Sequence, residues 1–285
     1  MVKRLVAEEG LSVIAALESV DLAKSSYYYA SRKRSSRPLD SSLIAAIERV
    51  LTANRQIYGY RKVCQVLQSQ GMRVNHKRVL RHLRAMGRLQ RRKRKGIAWT
   101  RPSAIHPQSS NTYWEMDTTT VWCGADGRRY LCGIIDAYDR GIPGSCFRDR
   151  CRADEAIETL EAALIRRFGG RVPENHTLIV RIDRGSQFVA CRFRQAAATL
   201  GVKLEYAGIQ CPDDKPYIES FFGKYKTEEV YRMDYASAIE GSTAWELYRR
   251  WYETERVHQS LGYRTPQQVV TSGNHHLSPA LPCPV

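Results

Sequence analysis

Asp117, Asp183 and Glu219 are the residues whose types and settings could carry chemistry. Asp117 lies in WEMDTT, Asp183 in VRIDRGSQF and Glu219 in CPDDKPYIESFFGKYK, with 35 residues between the last two. Carboxylate oxygens are hard ligands, so three of them gathered together favour Mg²⁺, with Mn²⁺ able to substitute. Two such ions side by side can activate an attacking oxygen and stabilise a leaving one during in-line displacement at a phosphodiester. That chemistry needs no covalent enzyme intermediate, so none of the 16 tyrosines is required as a nucleophile.

Separate elements must bring these acids together. Period-two patterning predicts strands over residues 113–122, 129–136 and 144–148, then a helix over 153–168 that stops at Gly169-Gly170. A strand at 178–182, a helix at 187–200, a strand at 202–206 and a helix from Pro216 follow. Asp117 falls mid-strand, where Asp is depleted, with Met116 and Thr118 directed to the other face. Asp183 follows the apolar run Leu178, Ile179, Val180, Ile182 and so stands at a strand's carboxyl end, where open α/β sheets place ligands; Gly185 lets the chain turn there. Glu219 occupies the first turns of the helix begun by Pro216.

Each acid alone has an ordinary structural alternative: an alternating strand position, a turn residue, and a charge at a helix start. Asp136 and Asp139 are the main rivals, Asp139 as an ion-pair partner of Arg140, and Asp213 and Asp214 add negative charge near Glu219. Lys226 lies seven residues beyond Glu219, on the same helix face about 10 Å along the axis, where a cation can hold a phosphate. Lys224 is off that face and is expected in solvent.

Charge is divided unevenly along the 285 residues. Residues 1–100 hold 22 Lys and Arg against 6 Asp and Glu, whereas residues 101–285 hold 23 of each. One module therefore suits a polyanion, nucleic acid above all, and the other is neutral. No apolar run approaches the roughly 20 residues of a spanning helix, and no signal-peptide pattern opens the chain. The eight cysteines form no Cys-x-x-Cys pair, which points to a reduced, cytoplasmic protein without structural zinc.

Residues 1–38 combine an amphipathic pattern (Leu11, Ile14, Ala15, Leu17, Val20) with a basic linker. Residues 39–87 show three apolar bursts at helical spacing, punctuated by Gly59 and Gly71, with Asn75 placed to cap the third helix. That is a helix-turn-helix plan whose last helix enters the major groove. Its DNA candidates are Arg61 and Lys62 on one helix and Lys77, Arg78, Arg81 and Arg84 on the next, which also carries His76 and His82. A basic linker at 88–110 follows, with Arg91, Arg92, Lys93 and Arg94 free to track a phosphate backbone. Residues 111–272 form the catalytic module, ending in an amphipathic helix near 244–256, and 273–285 form a tail.

As a set, the three acidic motifs, YGYRKV at 58–63 and RVHQSLGYRTPQQV at 256–269 resemble the DDE transposase and retroviral integrase superfamily, and most closely the OrfB-type transposases of bacterial insertion sequences. With the element order, the resemblance implies an α/β, ribonuclease-H-like core built on a mixed five-stranded sheet, preceded by an all-α helix-turn-helix domain. It further implies Asp117, Asp183 and Glu219 as catalytic metal ligands for two Mg²⁺ ions, and Gln187 as a support behind them. Relatives often have Asp-Asn before the Glu. Here Lys215 follows Asp214, and Lys215 could reach DNA. The implied activity is strand cleavage and strand transfer at element ends. The implied partners are DNA, further copies of the chain, and an upstream OrfA-type product as a fusion or neighbour, in the bacterial cytoplasm at the nucleoid. A DNA-binding regulator with an inactive integrase-like domain and a nuclease that cuts without joining are the alternatives. His258 in the last motif has no partner at ligand spacing and is expected to be structural or next to DNA.

Overall fold

The structure is a computed structural model describing residues 1–31, 38–90, 107–208 and 215–272. The chain divides at residue 44 into two compact units. In the first, helices α1 (Val2–Glu8), α2 (Val13–Glu18) and α3 (Lys24–Ser31) surround a small core of Val2, Ala16 and Leu17, joined by Leu5, Val6 and Tyr27. The amphipathic pattern expected here resolves into α2 alone, opened by Ser12 and leaving Leu11 and Ile14 exposed.

Helix α4 (Ser41–Ala53) leads into the second unit, where α5 (Tyr60–Ser69) and α6 (His76–Ala85) complete the helix-turn-helix. Asn75 caps α6 as its position predicts, its side chain accepting from the Lys77 N–H at 2.8 Å. Buried Val63, Leu67, Val79 and Leu83 fill the α5–α6 contact. His82 is also fully buried, facing this core and not solvent, with Nδ1 2.8 Å from the Arg78 carbonyl.

The catalytic module is a five-stranded sheet in the order β3-β2-β1-β4-β5. β1 (Tyr113–Trp122), β2 (Arg128–Asp136) and β3 (Gly144–Arg148) form an antiparallel meander. β4 (Leu178–Ile182) and β5 (Val202–Tyr206) add to β1 in parallel. Parallel neighbours require crossovers. α7 (Ala153–Phe168) connects β3 to β4, and α8 (Ser186–Val189) with α9 (Cys191–Thr199) connects β4 to β5. The single helix expected at 187–200 is thus two, broken where Ala190 is extended at φ −55° and ψ 136°.

Trp114, Met116, Leu160, Leu164, Val180, Phe188 and Phe193 make the core under these crossovers. α7 packs so closely on β3 that a Cβ at Gly144 would stand 2.3 Å from the Thr159 carbonyl oxygen. Helix α10 (Pro216–Glu228) lies on β1 and β2 and stacks its Phe221 and Tyr225 against Trp245, Tyr248 and Tyr252 of α11 (Ala238–Thr254). A short α12 (Pro266–Thr271), capped by Thr265, closes the described chain. This mixed sheet, with its meander followed by two crossover strands, is the ribonuclease-H-like arrangement.

The helix-turn-helix docks on the core through the turn after α4. Arg55 and Gln56 both adopt left-handed φ, 54° and 58°. That turn sends the Arg55 guanidinium to Glu229 and over the rings of Tyr248 and Trp251. Arg232 donates to the Arg55 carbonyl, and the buried Tyr58 hydroxyl accepts from the Val257 N–H at 2.9 Å.

Candidate active site

β1 places Asp117 opposite Gly133 at the sheet's centre, and β4 delivers Asp183 just past its carboxyl end. Both acids turn to one ammonium. Lys215 Nζ lies 3.1 Å from Asp117 Oδ1 and 3.0 Å from Asp183 Oδ2, so the two oxygens are no farther apart than these contacts laid end to end. The same Nζ reaches the Met116 carbonyl at 3.4 Å. Lys215, which the sequence suggested could reach DNA, is 5 % exposed and faces inward.

Burial raises the pKa of Asp117, against the pull of Lys215 and of the Thr118 N–H, which donates to Oδ1 at 2.8 Å. Asp183 Oδ1 accepts from the Gly185 N–H at 2.7 Å. Gly185 has ordinary negative φ, so it is needed for space and not for a left-handed turn: a Cβ there would stand 2.8 Å from Asp183 Oδ1 and 2.7 Å from the Gln187 amide nitrogen. The Gln187 amide is thus packed behind Asp183, half-buried.

Glu219 is exposed on the first turns of α10. Among the described residues no three His, Cys, Asp or Glu side chains stand together as a metal cluster, so the structure brings together Asp117 and Asp183 and leaves Glu219 apart. Lys226 is half-buried on the same helix. An ammonium bridging two acids nonetheless tests what their pocket accepts: hard oxygens are turned inward on a cation, as divalent metal binding requires.

Glu115 was missed by sequence reasoning. It is 1 % exposed, two residues before Asp117 on the same strand face, and its Oε2 accepts from the N–H groups of Tyr217 at 2.9 Å and Ile218 at 2.8 Å. It therefore pins the N-terminus of α10, and with it Glu219, onto β1. Burial pushes its pKa up to about 7, despite those two donors. The alternation in WEMD was the available signal, since Glu115 and Asp117 must share a side.

The rival acids have structural work. Asp136 is fully buried and accepts from the N–H groups of Asn111, Tyr138 and Asp139 and from the Trp114 indole; burial, then Asp139, lifts its pKa to about 6. Asp139 pairs with Arg167 at 3.1 Å, not with Arg140, whose guanidinium lies 3.8 Å over the Tyr217 ring. Asp213 and Asp214 lie outside the described residues.

Of the expected DNA contacts, Lys77, Arg78 and Arg84 are exposed on α6, and Arg81 is half-buried. Arg61 is exposed over the Tyr60 ring, and Lys62 is half-buried with Nζ 4.8 Å from the Tyr58 ring centre. Arg91, Arg92, Lys93 and Arg94 lie outside the described residues. Lys224 is half-buried and not in solvent, and burial followed by Arg256 lowers its pKa to about 8. His258 is buried, edge-on to Tyr252, and kept neutral by that burial and by Arg256 and Lys62.

The sheet and its matching domain families define an integrase-core protein with an HTH-like domain. Integrase core domain models match residues 107–212 and 200–266, and an HTH-like domain model matches residues 38–96. The relatives include probable and putative transposases of insertion sequences, consistent with a DDE transposase of the OrfB type. The chain is 29 % identical over 270 residues to a probable transposase for insertion sequence element IS1353 of Shigella flexneri, with 86 % of this chain and 49 % of that protein covered, so it spans about half of that relative's length. It is 28 % identical over 263 residues to a putative transposase for IS986/IS6110 of Mycobacterium tuberculosis, with 87 % of this chain and 94 % of the other covered. Among solved structures, a simian T-cell lymphotropic virus intasome in complex with a PP2A regulatory subunit matches with a TM-score of 0.49 at 15 % identity, covering 83 % of this chain and 76 % of that one. DNA binding is implied by the two domains, and no helix among the described residues is long and apolar enough to cross a membrane.

Proposed function

We propose that this chain cuts one DNA strand at the end of an insertion sequence and transfers it to a new position, integrating the element. The observation that supports this most is the ammonium shared by Asp117 and Asp183, because two acids from different strands converge on one cation. Asp117, Asp183 and Glu219 hold two Mg²⁺ ions in this reading, and Mn²⁺ substitutes. When bound, the ions supply an activated attacking oxygen and a stabilised leaving oxygen.

The chain's own residues do the rest. Glu115 fixes the start of α10 on β1 and so sets the position from which Glu219 joins the other two acids. Lys215 would have to vacate the space between Asp117 and Asp183 for those acids to hold a metal ion. Lys226 holds a phosphate of the bound strand, and Gln187 keeps Asp183 in place. α6 presents Lys77, Arg78, Arg81 and Arg84 to the duplex, Arg61 and Lys62 flank it, and Arg91, Arg92, Lys93 and Arg94 follow the backbone between modules. The working division is residues 1–38, 39–87, 88–110, 111–272 and 273–285. The chain acts as a homo-oligomer on DNA, with an OrfA-type product as fusion or partner, in the cytoplasm at the nucleoid.

A labelled duplex carrying the ends of the element that encodes this chain, incubated with Mg²⁺, separates the possibilities. A joined, branched product is expected. No product, with binding retained, means a DNA-binding regulator; a cut product alone means a nuclease.

A further inference from the structure

Behind Asp117, the opposite face of the sheet carries a row of thiols and hydroxyls that strand transfer does not use. Thr118 stands opposite Cys132 in the β1–β2 register, and Cys132 stands opposite Cys146 in the β2–β3 register, so the three side chains share one face. That face lies under α7. Cys146 accepts from the Thr159 hydroxyl at 3.1 Å and donates to the Glu155 carbonyl at 3.4 Å, both groups of that helix. Cys151, just before α7, lies over the other end of the row, with its Sγ hydrogen-bonded to Thr118 Oγ1 at 3.3 Å. Cys132, between Thr118 and Cys146, has the thiols of both Cys146 and Cys151 within hydrogen-bond reach. Three thiols from β2, β3 and the approach to α7 thus meet in one place.

Their exposure differs in a way that assigns roles. Cys132 and Cys146 are 1 % and 6 % exposed, whereas Cys151 is half-buried and is the one an oxidant from solvent can meet. A thiolate, not a thiol, is the nucleophile. Hydrogen bonds from Cys132 and then Thr118, against burial, bring the Cys151 thiol down to about 7, while hydrogen bonding to Cys146 and Cys151 and burial hold Cys132 well above the ordinary thiol range. Cys151 is therefore the group that reacts first, and Cys132 keeps its proton until a partner is ready. The remaining thiols of the described residues lie elsewhere: Cys64 and Cys123 are buried, and Cys191 is exposed on α9.

We propose that Cys151 and Cys132 form a dithiol that hydrogen peroxide converts to a disulfide, tying β2 to the start of α7. The Cys151 sulfur attacks the peroxide, so that an S–O bond forms, the O–O bond breaks and hydroxide leaves as water with a proton from solvent. The Cys132 sulfur then attacks the sulfenic sulfur; the S–S bond forms, the S–O bond breaks, and a second water leaves with the Cys132 proton. Two thiols are oxidised and one peroxide is reduced to two waters. The bond closes directly behind the candidate active site, because Thr118, whose hydroxyl meets Cys151, also donates its N–H to Asp117 Oδ1 at 2.8 Å. The site is independent of whether the chain transfers DNA strands.

The test treats the reduced full chain with hydrogen peroxide, blocks free thiols with N-ethylmaleimide, and maps tryptic peptides by mass spectrometry without reduction. Trypsin places Cys132 in peptide 130–140, Cys146 in 141–148 and Cys151 in 151–152, so each pairing has its own mass. Peptide 130–140 joined to 151–152 is expected, and it should be lost after dithiothreitol and in Cys151→Ser. In that variant Cys132 and Cys146 should both stay reduced, since the thiol that meets peroxide is gone. In the parent unfolded by urea, the same treatment should spread the bonds over other pairs. Peptide 130–140 joined to 141–148, oxidation of Cys151 without a crosslink, or oxidation confined to Cys191 would each overturn the assignment. So would an equal yield of the expected crosslink in urea, because closeness along the chain and not the fold would then make the bond.

Discussion

The surroundings of the Asp117–Asp183 pair and the surroundings of Glu228 are electrostatic opposites. In the first, two acids share one cation that the chain supplies as Lys215. In the second, one acid holds the Arg256 guanidinium, and its field reaches Lys62 and Lys224. Both regions are thus paired by groups of the chain itself, two acids on one ammonium in the first and one acid on one guanidinium in the second.

The comparison breaks most readily at the acids. Asp183→Asn should lower both cutting and joining by about 10³-fold or more while duplex affinity stays within about 2-fold, since one acceptor of the metal set is lost and no DNA contact is. Continued joining by this variant, followed on a labelled end duplex, would remove Asp183 from the chemistry. Next in size is Glu115→Ala. Loss of a buried acceptor for two helix N–H groups should destabilise the chain by about 3 kcal/mol in denaturant unfolding and reduce strand transfer, because the start of α10 is no longer held.

Lys215→Met sharpens the contrast between the regions. Without its ammonium the two acids repel each other, so the variant in EDTA should lose about 1–2 kcal/mol, a figure kept small because the Asp183 side chain is 41 % exposed. Added Mn²⁺ should restore that stability and bind more tightly than in the parent; equal loss with and without metal would mean that Lys215 is only a packing residue.

The smallest effect is on pH dependence. Lys62 and Lys224, brought to about 7 and about 8 by burial and by Arg256, have an ordinary value of 10.5 when unfolded. Across that window the unfolded chain holds more protons than the folded one, so these two groups make stability rise with pH from about 7 to about 10.5. Burial, Arg256 and Lys62 hold the neighbouring His258 neutral across that window, so it does not reverse the sign. Lys62→Gln/Lys224→Gln should flatten that rise in a series of thermal melts, and an identical pH profile would count against the lowering of these two lysines.

Local pattern carried much of the architecture into the sequence. Strands 113–122, 144–148, 178–182 and 202–206 and the helix at 153–168 were legible because alternation, apolar runs and glycine stops are written over neighbouring residues. The break at Ala190 was not, since nothing in an Ala-rich stretch marks a residue that leaves the helix for one step. The meeting of Asp117 with Asp183 depends on sheet order, which links residues 66 apart in the chain. Lys215 between them, Arg167 on Asp139 and the burial of Lys224 were illegible for the same reason: each is a contact between distant segments, and a charged side chain looks alike in the sequence whether it ends in solvent or in a pocket; for Glu115 the alternation in WEMD gives its side of the strand but not its contact with α10.

Glu219 decides how many ions are held, because it must join Asp117 and Asp183 for two to bind. Calorimetric titration of Mn²⁺ into the full chain bound to an element-end duplex tests this directly. Two ions per chain are expected in the parent, and fewer than two in Glu219→Gln, with binding abolished when Asp117 is also changed to Asn. Two ions bound with unaltered affinity by Glu219→Gln, or none bound by the parent, would contradict it.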